Sequence, residues 1–296
     1  MRERIGRLKE LALASDELTG WIELERIKAQ AWPVVKDLHP SLRQAELLAR
    51  MLGQMTIEVD SDDLIAGSIN SAFTNSYDLY QGGAERSLGK IAPPDVRAFW
   101  REDPYERELE TLLTPLDQDI QNETVCIGKR VTGHMVPNFS RVLKIGLEGV
   151  IRDAQSRHDA LASDQHDKKA HYQGIITACQ ATVNLANRYR AEALRLAGEA
   201  KDANRRQDLQ RLADRCARVP LKPATSFAEA LQSVWFTYMV MHIEQTPNPY
   251  AFSVGRLDQF LYSYYLGDVA GGVISEDDAL ELLEAFWLKF IVGKSC

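Results

Sequence analysis

Residues 247–265 read PNPYAFSVGRLDQFLYSYY, and the fold turns on how this stretch is read. Pro247 and Pro249 exclude a helix and push their neighbours toward extended backbone. Gly255 can take a backbone angle that other residues avoid. From Arg256 onward Leu257, Phe260, Leu261 and Tyr264 recur at helical spacing. The spacing predicts helix, then a short strand or loop, then helix, with Tyr250, Ala251, Phe252 and Ser253 held in a special environment between them. The plainer alternative is a connector packed under a helix, the usual fate of an aromatic stripe.

Working outward, the preceding phrase is PATSFAEALQ, residues 223–232. Ser226 and Glu229 have the spacing of a capping box. The helix they open carries Leu231, Val234, Trp235, Tyr238, Met239, Met241 and Ile243 on nearly every side, so it is expected to be buried. After the aromatic segment Gly271 and Gly272 make a turn. Ser275 then caps a last helix whose first turn, Glu276, Asp277 and Asp278, complements the helix dipole. Leu282, Leu283, Phe286, Trp287 and Phe290 give that helix an apolar surface, and the region of Phe286, Trp287 and Phe290 is expected to be exposed.

Toward the N-terminus, helices are expected over 3–14, 22–36 and 41–54. The piece TIEVDSDDLIAGS, 56–68, alternates like two short strands around an acidic turn. Residues 69–103 are irregular and glycine-rich, a texture that suits either a surface loop or a site lining. Helices resume at 95–100 and 104–121. In 131–150, VTGHMVPNFSRVLKIGLEGV, Pro137 forces an extended turn and helical spacing starts at Ser140. One long helix over 165–198 and another over 203–218 follow.

The chain has 296 residues and a net charge of -7, which argues against nucleic acid as a main partner. No signal-peptide core or membrane-length apolar run occurs, so the expectation is a cytoplasmic protein with no membrane partner. The four cysteines, Cys126, Cys179, Cys216 and Cys296, show no metal-binding spacing. No metal ligand set is expected. Cys179 and Cys216 fall at core positions of helices.

Five phrases in order carry a resemblance to one family. The run from Asn248 resembles the pattern N-G-x-x-x-S-x-G-R-x-D-Q-x-L-Y-P-Y-Y of glycyl radical enzymes, the pyruvate formate-lyase-like group. Asn248, Ser253, Gly255, Arg256, Asp258, Gln259, Leu261, Tyr262, Tyr264 and Tyr265 match, while Pro249 and Ser263 depart from it. Gly133, His134, Pro137, Phe139, Val142, Leu143, Gly146, Leu147 and Gly149 resemble the family's Gly-His-x-x-Pro phrase, with Asn138 in place of its acid. Asp63, Leu64, Ile65 and Gly67, the helices of 22–54 before them, and the Val219–Gln232 region supply the rest.

The resemblance implies a mainly α chain with short β-strands, forming the N-terminal part of a ten-stranded α/β barrel. The whole of 1–296 is then one incomplete domain, a helical shell plus the first barrel strands. It implies a lyase, dehydratase or formate acetyltransferase-like transferase of anaerobic metabolism acting on a small molecule, and a homodimer. The cofactor is a protein glycyl radical installed by a separate S-adenosylmethionine and iron–sulfur activating enzyme; nothing is expected bound to this chain itself. His134 is the candidate catalytic and substrate-facing residue, since imidazole exchanges protons near neutrality. Tyr250, Phe252 and Ser253 are candidate substrate contacts. Ala251 stands where several relatives carry a polar contact, which argues against a glycerol- or diol-type substrate. Ser253, Gly255 and Arg256 also have the look of a tight turn with a buried guanidinium paired to Asp258 or Glu244.

Neither radical-bearing residue is where the family places it. No Gly-Cys occurs, and Arg130-Val131-Thr132-Gly133-His134 imitates the radical phrase but runs into the Gly-His-x-x-Pro segment. The expectation is therefore a fragment that is inactive alone. The alternative is a non-catalytic helical protein that keeps the family shell and binds a protein partner.

Overall fold

The computed structural model describes residues 2–14, 20–60, 62–69, 88–122, 124, 135–245 and 252–291. Helix α1 spans Arg2–Ala14, α2 Gly20–Val35 and α3 Pro40–Gln54. After the irregular 56–69 segment come α4 (Pro94–Glu102), α5 (Pro104–Leu113), a 3-10 turn (Thr114–Leu116) and the short α6 (Asp117–Gln121). Then follow α7 (Phe139–Asp159), α8 (His166–Glu199), α9 (Ala203–Arg218), α10 (Phe227–Glu244), α11 (Leu257–Ala270) and α12 (Glu276–Leu288).

Helix α8, 34 residues long, is the strut against which α3, α7 and α9 pack. Its buried side carries Ala181, Leu185, Ala186, Tyr189, Ala193 and Ala197. The small residues let neighbouring helices approach closely. Helix α10 lies in the middle of the molecule, as its all-round apolar sequence requires, with Leu231, Trp235, Phe236, Met239 and Ile243 sealed from solvent. A second, smaller core joins α2 to α4, where Trp21 stacks on Trp100 with centroids 6.2 Å apart. There the buried Glu25 accepts the Trp100 indole N–H at 2.7 Å and is paired with Lys28 one turn away.

The start of α10 differs from the expected capping box. The Ser226 hydroxyl accepts the Glu229 N–H at 3.2 Å, but the Glu229 carboxylate turns to the Thr225 N–H (2.7 Å) and to Arg218 (3.1 Å). The Phe227 N–H goes instead to Asp268 of α11, at 2.7 Å. A reciprocal box does form at α12, between Ser275 and Asp278.

Helix α7 is broken in the middle. Gly146 takes φ 64°, ψ 173°, a conformation open essentially to glycine alone. The break frees two N–H groups to bond outside the helix: Leu147 to the Pro220 carbonyl (2.8 Å) and Glu148 to the Leu221 carbonyl (3.0 Å). The Ala224 N–H returns a bond to the Leu143 carbonyl at 3.0 Å. A Cβ at Gly146 would lie 2.2 Å from the Leu221 oxygen. The glycine thus lets α7 lie directly on the connection between α9 and α10.

The expectation of short strands needs correction. Among the described residues the only β pairing is an isolated parallel bridge between Met135 and Phe252. The 56–68 piece does not pair as strands; side chains from distant helices take up its backbone groups. The expected exposed apolar face is also smaller: Phe286 is fully buried and Phe290 half-buried, while Trp287 is 48% exposed. No helix of the described residues is long and apolar enough to cross a membrane.

Candidate functional site

The two phrases singled out in the sequence, Gly-His-x-x-Pro and Ser-x-Gly-Arg, meet in space. Met135 bridges Phe252 in parallel, and the Ser253 N–H donates to the Met135 carbonyl at 3.1 Å. Two residues further along, Gly255 has φ +64°, and a Cβ there would sit 2.5 Å from Val136 Cγ1. The glycine is required both by its backbone angle and by its neighbour on the other phrase. The two segments then diverge into the first turns of α7 and α11, where Phe139 and Phe260 pack with centroids 6.0 Å apart.

His134 and Tyr250, with Ala251 and Gly133, lie outside the described residues. In sequence His134 immediately precedes Met135, and Ala251 immediately precedes Phe252. Of the remaining candidates, Phe252 is buried, its ring 5.0 Å from that of His242. Ser253 is exposed, and its hydroxyl accepts the Gly255 N–H at 3.0 Å, which closes the turn. Arg256 is paired with Asp258 at 2.8 Å, as one of its two expected partners, but both side chains are about two-thirds exposed and the guanidinium is not buried. Glu244, the other expected partner, accepts from Gln44 instead.

His242 was not singled out as a site residue, although it supports the bridge. It lies on α10, 3% exposed, its ring tilted against that of Tyr238 at 4.3 Å and edge-on to Phe252. Its Nδ1 lies 3.1 Å from the Tyr238 carbonyl, which can only accept, so Nδ1 carries the proton. Burial pushes its pKa down to about 4, and the ring is neutral at physiological pH. The Tyr238 hydroxyl reaches forward and donates to the Phe252 carbonyl at 3.3 Å. Nothing in the local sequence marks His242 except its place one turn after Tyr238 on a buried helix.

Cys216 is sealed in the core and Cys179 half-buried; burial pushes their thiols up to about 12 and about 11. Cys126 and Cys296 lie outside the described residues. Among the described residues no cluster of histidine, cysteine and carboxylate side chains could hold a metal ion.

The described residues thus form a helical assembly in which the two extended phrases meet at a single parallel bridge. Residues 1–294 match the model of the pyruvate formate lyase-like family, and the chain belongs to that family of glycyl radical enzymes. It is 29% identical to the isethionate sulfite-lyase of Nitratidesulfovibrio vulgaris over an alignment that covers 90% of this chain and 37% of that enzyme. Its fold matches a Roseburia inulinivorans structure concerned with 1,2-propanediol dehydration (TM-score 0.81, 24% identity, 99% of this chain and 38% of the other). It also matches a glycyl radical enzyme from Archaeoglobus fulgidus (TM-score 0.81, 23% identity, 98% of this chain and 40% of the other). The chain therefore spans well under half the length of the relatives it matches.

Proposed function

We propose that this chain is the N-terminal wall of a glycyl radical lyase or dehydratase. The observation that carries the reading is the parallel Met135–Phe252 bridge, which joins the two family phrases through their backbones. A buried, water-excluding wall is what radical chemistry needs, because solvent and oxygen quench its intermediates. On this reading His134 moves a proton at the substrate's departing group. The Tyr250 phenol holds a substrate oxygen by a hydrogen bond. Phe252 closes the wall behind them, and the Ser253–Gly255 turn aims the phrase. Ala251 offers no hydrogen bond, which favours a substrate other than a glycerol or diol.

The cysteines of the described residues do not fit the hydrogen-abstracting role. Cys216 packs in the core between helices, Cys179 lies along α8, and the sequence has no Gly-Cys phrase. No step is therefore assigned to a radical on this chain. The radical-bearing residues belong to the part of the relatives that the chain does not span, and installation of the radical falls to a separate S-adenosylmethionine-dependent activating enzyme. The complete enzyme is expected to be a homodimer.

Electron paramagnetic resonance after treatment with such an activating enzyme tests this. This chain alone gives no glycyl doublet, and the doublet appears when the rest of the polypeptide is supplied. With that complete enzyme, His134→Gln keeps the doublet and loses turnover. A doublet from this chain alone, abolished by Gly133→Ala, would overturn the assignment.

A further inference from the structure

The piece from Asp60 to Gly67 is mostly buried and has no strand partner among the described residues, and several of its backbone groups bond to side chains instead. Its partners are side chains from far along the sequence. The Asp60 carbonyl accepts from Arg205 at 2.6 Å and the Asp63 carbonyl from the same guanidinium at 2.9 Å. The Leu64 carbonyl accepts from Arg215 at 2.6 Å. The Asp63 carboxylate takes Lys289 at 2.5 Å and the Asp60 N–H at 3.0 Å. Ala66 differs from all of these, because both its backbone groups go to one side chain. Its N–H donates to Gln232 Oε1 at 2.8 Å, and its carbonyl accepts from Gln232 Nε2 at 2.9 Å.

That reciprocal pair is the pattern one residue of an antiparallel strand makes with its partner. A primary amide is the side chain that can copy it, since it carries a donor and an acceptor side by side. Gln232 is 0% exposed on α10, so neither half of the pair has water as a substitute. The next residue fixes the same alignment by shape. Gly67 has φ +106°, and a Cβ there would lie 2.7 Å from Met239 Sδ and 2.9 Å from Trp235 Nε1, two turns and one turn beyond Gln232 on α10. A slip by one residue would put a side chain into that contact.

We propose that Gln232 is a positioning residue: its amide stands in for a neighbouring strand and sets the register of Asp63–Gly67 against α10. For its functional sense the inference rests on reading the chain as a cavity wall. The measurement below needs no radical chemistry, so either reading can fail without the other.

The test is amide exchange by nuclear magnetic resonance on wild-type chain, Gln232→Met and Gln232→Glu between pH 5 and 8. In the wild type both the Ala66 N–H and the Gln232 side-chain N–H protons are protected. Gln232→Met removes both bonds, and Ala66 exchange rises roughly a hundredfold at every pH. A protonated glutamic acid still offers one donor and one acceptor, whereas the carboxylate offers only acceptors. Gln232→Glu therefore keeps an acceptor for the Ala66 N–H at every pH, so its Ala66 exchange stays slower than in the methionine variant, and it regains the bond to the Ala66 carbonyl as the carboxyl is protonated toward pH 5. The charged groups in and around the segment, Asp60, Asp62, Asp63, Arg205, Arg215 and Lys289, are common to all three chains, so each variant is compared with wild type at the same pH. Exchange-labile Gln232 side-chain protons in the wild type would overturn the proposal, even if both variants failed to fold. So would glutamate and methionine variants that match at all pH values.

Discussion

Gly146→Ala should be among the most damaging single-methyl changes in the chain. Two costs add. Alanine at φ 64°, ψ 173° carries strain of about 1–3 kcal/mol. The new Cβ would also lie 2.2 Å from the Leu221 oxygen and 2.7 Å from the Lys222 carbonyl carbon, both backbone atoms, so the 220–222 connection must withdraw. Withdrawal breaks the Leu147–Pro220 and Glu148–Leu221 bonds, at roughly 1 kcal/mol each. The sum is about 3–5 kcal/mol, a shift of two to three powers of ten or more in the folding equilibrium. Urea unfolding followed by circular dichroism measures it. Gly198→Ala is the control, because a Cβ there meets nothing within 4 Å on the exposed side of α8. That change should stabilise by up to about 1 kcal/mol. A Gly146→Ala chain that loses less than about 1 kcal/mol would show that α7 is not broken where we place the break.

Further outcomes follow from the buried polar groups. The His242 pKa is pushed down from 6.5 to about 4, so the fold favours the neutral ring. Its contribution is complete above pH 6.5 and is lost as pH falls toward 4, by about 3 kcal/mol at most. His242→Gln should remove that part of the acid sensitivity, and urea midpoints measured across this window would refute the reasoning if the two chains ran parallel. Lys289→Met leaves the Asp63 carboxylate buried without its cation and should destabilise by about 3–5 kcal/mol; the double variant with Asp63→Asn should recover much of the loss in the same assay. Arg256→Ala breaks an exposed pair and should leave the melting temperature unchanged within error, whereas a buried guanidinium would make it fall.

How far the sequence could be read depends on where each element finds its partners. Helices α8 and α10 were legible because their apolar spacing is internal to the segment, and the observed bounds, His166–Glu199 and Phe227–Glu244, follow it closely. The break at Gly146 was not legible: helical spacing continues on both sides, and the break is made by carbonyls some 75 residues away. The same cause misdirected 56–68, whose alternation suggested strands although Arg205, Arg215 and Gln232 supply its bonds. Glu229 missed its box because Arg218 and Thr225 compete for one carboxylate. At the site, the two phrases could be recognised in sequence, but their pairing through Met135 and Phe252, and the support of His242 behind it, needed three dimensions.

The central claim is that the Gly-His-x-x-Pro and Ser-x-Gly-Arg phrases run side by side through Met135 and Phe252, and from that pairing we propose that His134 and Tyr250 serve one site. A nitroxide attached at His134→Cys, in a chain with its other reactive thiols replaced and its tyrosines fluorinated, tests this directly by fluorine magnetic resonance. The account predicts that the Tyr250 line, assigned through Tyr250→Phe, is broadened away when the nitroxide is oxidised and returns when it is reduced. A Tyr250 line equally sharp in both states would contradict it.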